Sequence, residues 1–160
     1  MPVKFTFNEP RLMAWLLCHQ CYNLVSRCEE VTFANTQITP EQHAVLLAIK
    51  NNNGPVGPTS IAKWLDRSPN SISLMIQRME KRGLVNQARD LPDLRSVRLV
   101  ITKKGDKILE QATSRRWNLI QEILSDVSQD DLQTLIRLME LIRGKAFHYL
   151  KPKGVMENVG

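Results

Sequence analysis

The chain has 160 residues, of which 42% are apolar and 24% charged, and a formal charge of +6. That length suits one domain with a fair core. No apolar run approaches the roughly 18 residues of a membrane span, and three cysteines (Cys18, Cys21, Cys28) make no disulfide framework, so a membrane protein and a disulfide-stapled scaffold are both excluded.

Met1 to Glu9 lacks a positive start followed by a long apolar run. A cytoplasmic protein with reduced thiols is therefore expected. A helix is predicted from about Pro10 to Val31, with Pro10 suited to the opening turn. Met13, Leu17, Cys21, Leu24, Cys28 and Val31 form one stripe, and Trp15, Cys18, Tyr22 and Val25 widen it beyond half the circumference. A small module cannot cover so wide an arc from one side, which implies burial against a second copy of the chain. Asn35 to Thr39 make a turn, and Thr39 caps a helix over Pro40 to Lys50 with Gln42 as its capping-box partner. The loop from Asn51 to Pro58 has room for a short third strand.

Thr59 to Val85 carries two helical patterns separated by a sharp break, the spacing of a helix-turn-helix. Ile61, Ala62 and Leu65 share one side of the first, with Thr59 expected to cap it. After Asp66 and Arg67, Ser68 is an N-cap, Pro69 suits the first helical position, and Ile72, Ile76 and Met79 form an inward stripe that ends at Gly83. The opposite face holds Asn70, Ser73, Leu74, Gln77, Arg78 and Lys81, with Ser71 near its start and no carboxylate. Amides and guanidinium read base edges in a major groove, while lysine and serine meet phosphate.

Leu84 to Arg89 and Val97 to Thr102 read as two short strands around the polar turn DLPDLRS, which makes a winged helix. Arg95 at the tip could enter a minor groove with Asp93 holding its guanidinium. Helices follow over Asp106 to Val127 and Gln129 to Leu150, with Ser128 as a cap between them, and Lys151 to Gly160 is expected to be a flexible tail. The fold class is thus mainly α with a small β-hairpin wing. The expected layout is 1–57 for N-terminal dimerisation, 58–105 for DNA binding, 106–150 for C-terminal dimerisation and 151–160 for the tail.

Charge follows this layout. From Pro58 to Lys107 there are eleven basic residues against five acids, and the rest of the chain has eleven of each. The whole excess falls on the winged module, which is the footprint of a polyanion partner.

The run from Thr59 to Gly105 resembles the MarR family of winged-helix transcription regulators. The resemblance is carried by Ile61, Ala62, Leu65, Ser68, Ile72 to Leu84, Asp93, Arg95, Leu99, Thr102 and Gly105. It implies a homodimer, most often a repressor, that binds double-stranded DNA at a pseudo-palindromic operator with halves about one turn apart. Asn70, Ser71, Ser73, Leu74, Gln77 and Arg78 would then face the major groove, Arg95 the minor groove, and Ser68, Lys81 and Arg98 the backbone. Leu74 stands where the family often has a basic residue, and suits a thymine methyl. Gln77 replaces a frequent acid and Leu94 the second basic residue of the wing.

The resemblance also implies release from DNA by an effector, and several are open. A small organic ligand could use the aromatics Trp15, His19, Tyr22, His43 and Trp64, which otherwise serve as core or interface. An oxidant could act at Cys18 or Cys21, although His19, next to Cys18, points about 100° away from it on a helix and no cation sits beside Cys21 to stabilise a thiolate. Cys28, Glu29, Glu30 and His43 fall short of a zinc set, so neither metal nor cofactor is expected. An enzyme finds no support in a Ser/His/Asp motif, a phosphate loop or HExxH. A winged helix that docks proteins would call for an apolar patch, of which Leu74 and Met75 are the only hints.

Overall fold

A computed structural model describes residues 8–89 and 97–150. In chain order the elements are α1 (Pro10–Phe33), α2 (Pro40–Asn51), α3 (Pro58–Leu65), α4 (Pro69–Lys81), β1 (Val85–Ala88), β2 (Arg98–Ile101), α5 (Lys103–Ile123) and α6 (Gln129–Leu150). The wing turn with Asp93, Leu94 and Arg95, and the segment 151–160 read as a tail, lie outside the described residues.

Local chemistry accounts for most of the boundaries. The Thr39 hydroxyl accepts the Gln42 N–H at 3.2 Å and the Gln42 side chain accepts the Thr39 N–H at 3.2 Å, so the expected capping box forms. Ser68 caps α4 by accepting the Ser71 N–H at 3.2 Å. At its other end Gly83 has φ +69°, and the Leu84 N–H reaches back to the Met79 carbonyl at 2.9 Å. This left-handed exit turns the chain from helix into strand and buries Leu84.

Three expectations need correction. Thr59 does not cap α3: the helix begins one residue earlier at Pro58, whose fixed φ suits the first position, and Gly57 is the N-cap without a side-chain bond. The fifth helix opens at Lys103, not Asp106, because the Thr102 hydroxyl caps it by accepting the Gly105 N–H at 2.9 Å, and it ends at Ile123. The sheet among the described residues has two strands. The loop contributes one bond to it, from the Leu99 N–H to the Val56 carbonyl at 2.8 Å.

β1 and β2 are antiparallel, with Val85 opposite Ile101 and Gln87 opposite Leu99. The core lies between α2, α3, α4, the base of this hairpin and the first half of α5, and its largest fully buried side chains include Leu46, Ile61, Ile72, Ile76, Met79, Leu84 and Leu109. The three residues read as the inward stripe of α4 are all in it. Gly105 sits in the first turn of α5 because the chain passes so close that a Cβ there would lie 2.0 Å from the Leu84 carbonyl oxygen. Thr102 closes the same corner, its hydroxyl donating to the Gly83 carbonyl at 2.7 Å.

α6 stands apart from this core, and α1 enters it with one buried residue, Phe33 at its C-terminal end. α6 has no buried residue, and Leu135, Ile136, Met139 and Ile142 are exposed along it. On α1, Trp15, Tyr22, Leu24 and Val31 are likewise exposed.

Candidate nucleic-acid interface

The interface is built on α4. Because Ile72, Ile76 and Met79 are fixed in the core, helical geometry turns Asn70, Ser71, Leu74, Gln77, Arg78 and Lys81 outward, and all six are exposed; Ser73 is half-buried at the edge. Leu74 keeps 45% of its surface open on this otherwise polar face. The Ser68 and Ser71 hydroxyls lie 2.8 Å apart, and Ser68 also serves as the cap, so its hydroxyl is held by the helix it starts.

The turn before α4 is tied down from behind. Asp66 takes a left-handed conformation at φ 51°, and Arg67 Nε donates to Glu41 Oε1 at the start of α2 across 2.8 Å. At the far end Arg82 reaches the Gln37 carbonyl in the α1–α2 turn, and Lys104 Nζ donates to the Arg82 carbonyl at 2.8 Å. The helix is therefore braced at both ends while its outward face is left open.

Glu80 is the single carboxylate of α4, and it points away from that face. Oε1 accepts the Gln87 backbone N–H at 2.9 Å and Oε2 accepts Gln87 Nε2 at 2.8 Å. Arg98 lies on β2, next in chain order after the wing turn. Asp93 and Arg95, read as the wing pair, lie outside the described residues.

The five aromatics considered for an organic ligand are not gathered around one cavity within this chain. Trp15, His19 and Tyr22 lie on one exposed side of α1, where the Trp15 and His19 rings meet edge to face at 5.2 Å. Trp64 lines a separate groove of about 500 Å³ between α2 and α3, with Leu47, Pro55 and Ile61. His43 is buried in the core. Its Nε2 lies 2.9 Å from Thr113 Oγ1 and its Nδ1 3.1 Å from Arg116 Nη1, and burial, with the Arg116 charge second, lowers its pKa from 6.5 to about 4. Arg116 also pairs with Glu29, so α1, α2 and α5 are joined through one polar cluster. Cys21 is exposed on α1, with Cys18 and Cys28 half-buried. Among the described residues no helix is long and apolar enough to cross a membrane.

Sequence reasoning did not find the Glu80–Gln87 clamp, the Arg82 brace or the Arg116 cluster. A signal for the first was available: one acid on a helix whose outward face has none.

A helix-turn-helix braced from behind and followed by an antiparallel hairpin defines the class, a winged-helix DNA-binding transcription regulator. Comparison with known proteins gives the family. The MarR family profile matches residues 38–97. The uncharacterized HTH-type transcriptional regulator YdgG of Bacillus subtilis is 30% identical over 107 residues, which are 65% of this chain and 70% of that protein. The HTH-type transcriptional repressor MdtR of the same organism is 26% identical over 59% of this chain and 61% of its own length. The chain belongs to the MarR family. In fold it is similar to the transcriptional repressor CouR bound to a 23-mer DNA duplex, with a TM-score of 0.76 and 24% identity over 88% of this chain and 99% of that one. The relatives and fold neighbours are regulators, not enzymes.

Proposed function

We propose that the protein is a homodimeric transcriptional repressor that binds a pseudo-palindromic operator. The observation that carries this reading is the outward face of α4, which is exposed, free of carboxylate and backed by a fully buried stripe. In this reading Asn70, Ser71, Ser73, Leu74, Gln77 and Arg78 read or position the major groove. Ser68, Lys81 and Arg98 meet the backbone, and Arg95, with Asp93 beside it in sequence, enters the minor groove. Support for repression comes from MdtR and CouR, both named as transcriptional repressors, the latter in complex with DNA.

The homodimer is supported by α6. A helix with no buried residue and with Leu135, Ile136, Leu138, Met139, Leu141 and Ile142 all exposed cannot be stable as a free projection, because each such side chain in water forgoes roughly 1.5 to 3 kcal/mol of burial. A second copy offers the same apolar surface around a two-fold axis, and two-fold symmetry sets two α4 helices one DNA turn apart.

The test is a random-sequence selection with the purified protein, followed by gel-shift titration with non-specific competitor and a salt series. Recovery of an inverted repeat bound by two chains supports the reading. Competitor-sensitive binding without a recoverable motif overturns it. Affinity should fall steeply with salt, as for any interface dominated by phosphate contacts.

A further inference from the structure

We infer that Glu80 is a positioning residue for DNA binding, whose carboxylate locks the hairpin at a fixed angle to the recognition helix; the inference rests on the operator-binding function proposed above. Three observations carry it. The first is the register of the sheet. Gln87 and Leu99 face each other across β1 and β2, and both of their N–H groups point out of the ladder. The Leu99 N–H is taken by the Val56 carbonyl at 2.8 Å on one edge. On the other edge the exposed Gln87 N–H has no strand partner and would otherwise face water, and Glu80 Oε1 takes it at 2.9 Å.

The second is geometric. Glu80 Oε2 accepts from Gln87 Nε2 at 2.8 Å, so the carboxylate grips backbone and side chain of one residue at once. A two-point grip of a charged acceptor fixes orientation as well as distance. It joins the last turn of α4 to the middle of β1, that is, the element that reads the major groove to the hairpin that leads into the wing.

The third is electrostatic. A carboxylate in the last turn of a helix opposes the helix dipole, and a carboxylate on a DNA-binding element repels phosphate. Glu80 is the single acid in α4 and stands in that last turn. Both general effects act against it, and the hydrogen bonds to Gln87 are what its position gains.

These effects make the test decisive, because charge and positioning predict opposite signs. Glu80→Ala and Glu80→Gln both remove the negative charge, but the amide introduced by Glu80→Gln can still accept the Gln87 N–H and, after a flip of the Gln87 amide, donate to its oxygen. Operator affinity is measured for wild type and both variants on DNA recovered from the selection, with thermal unfolding as the folding control and amide exchange of Gln87 as the report on the clamp. Positioning predicts that Glu80→Gln binds as tightly as wild type or more so. Glu80→Ala should bind roughly ten-fold more weakly than Glu80→Gln, lose footprint protection at the flanks while keeping the half-site centres, and exchange the Gln87 amide faster. Equal affinity of the two variants, or a Gln87 amide as protected in Glu80→Ala as in wild type, overturns the inference. If wild type selects no DNA, the operator reading fails by itself, and the amide exchange still decides whether the clamp exists in solution.

Discussion

Arg116 Nη1 donates to His43 Nδ1 across 3.1 Å, and this one contact decides which nitrogen of a buried imidazole carries the proton. An arginine has no acceptor, so Nδ1 must be the acceptor and Nε2 the protonated nitrogen, donating to Thr113 Oγ1 at 2.9 Å. Protonating Nδ1 would set a second cation against the guanidinium on an imidazole that is itself buried. His43 is thus neutral in the fold, with its pKa lowered from 6.5 to about 4 by burial first and Arg116 second.

The sign of the resulting pH dependence follows from linkage. The unfolded histidine binds its proton near pH 6.5 and the folded one only near 4, so between those values the unfolded chain holds more protons and stability rises with pH. The contribution of His43 is complete above about pH 6.5 and disappears as pH falls to about 4. At pH 5 the loss should be about 2 kcal/mol. Denaturant titrations at pH 7.5 and pH 5 measure it, and His43→Gln should flatten that part of the profile. An unchanged slope in the variant would assign the dependence to other groups.

Gly105 and Gly83 are both glycines for backbone reasons, but of different size. A Cβ at Gly105 would meet the Leu84 carbonyl oxygen at 2.0 Å, so Gly105→Ala must separate α5 from the β1 corner and should cost roughly 3 kcal/mol or more. At Gly83 a Cβ meets nothing within 4 Å, and only the left-handed φ of +69° is penalised, at about 1 kcal/mol. Thermal unfolding of the two variants should rank them in that order.

Ile72→Ala and Ile76→Ala empty fully buried sites beneath the recognition helix. Each should destabilise by roughly 2 to 5 kcal/mol. Calorimetry reports this directly, and an effect below about 1 kcal/mol would mean that α4 does not pack as described.

On the open face of α4, Gln77→Ala and Arg78→Ala should leave the melting temperature unchanged and cost roughly 1 to 3 kcal/mol of operator affinity with relaxed base preference. Arg95→Ala should cost a similar amount. Lys81→Ala should weaken binding about equally for all sequences and reduce the salt slope by about one. A Lys81 variant with altered base preference would move that residue from backbone to base contact.

For the homodimer, Ile142→Asp places a charge within the exposed apolar face of α6. Sedimentation should show the wild type at twice the chain mass and the variant at the chain mass. A wild-type monomer at micromolar concentration would remove the two-fold operator from the proposal.

What depends on near neighbours along the chain is legible in the residues alone. The Thr39 and Ser68 caps, the Gly83 exit and the Ile72, Ile76, Met79 stripe are set by contacts within a few residues, where helical geometry leaves few alternatives. The family is legible for the same reason, since its motif is a run of such local requirements. Thr59 loses the cap position because Pro58 takes the first helical position and shifts the start, a one-residue competition that composition does not resolve.

Partners that come from far along the chain are a matter of packing. Glu80 would be an ordinary solvated acid if β1 did not bring Gln87 to it, and Arg82 an ordinary surface cation without the Gln37 carbonyl of the α1–α2 turn. His43, an aromatic available to a ligand on sequence grounds, is a core residue because Thr113 and Arg116, 70 and 73 positions later, satisfy both of its nitrogens. Burial of a polar group depends on whether its hydrogen bonds can be met, and those partners are supplied by the tertiary fold, not by sequence proximity.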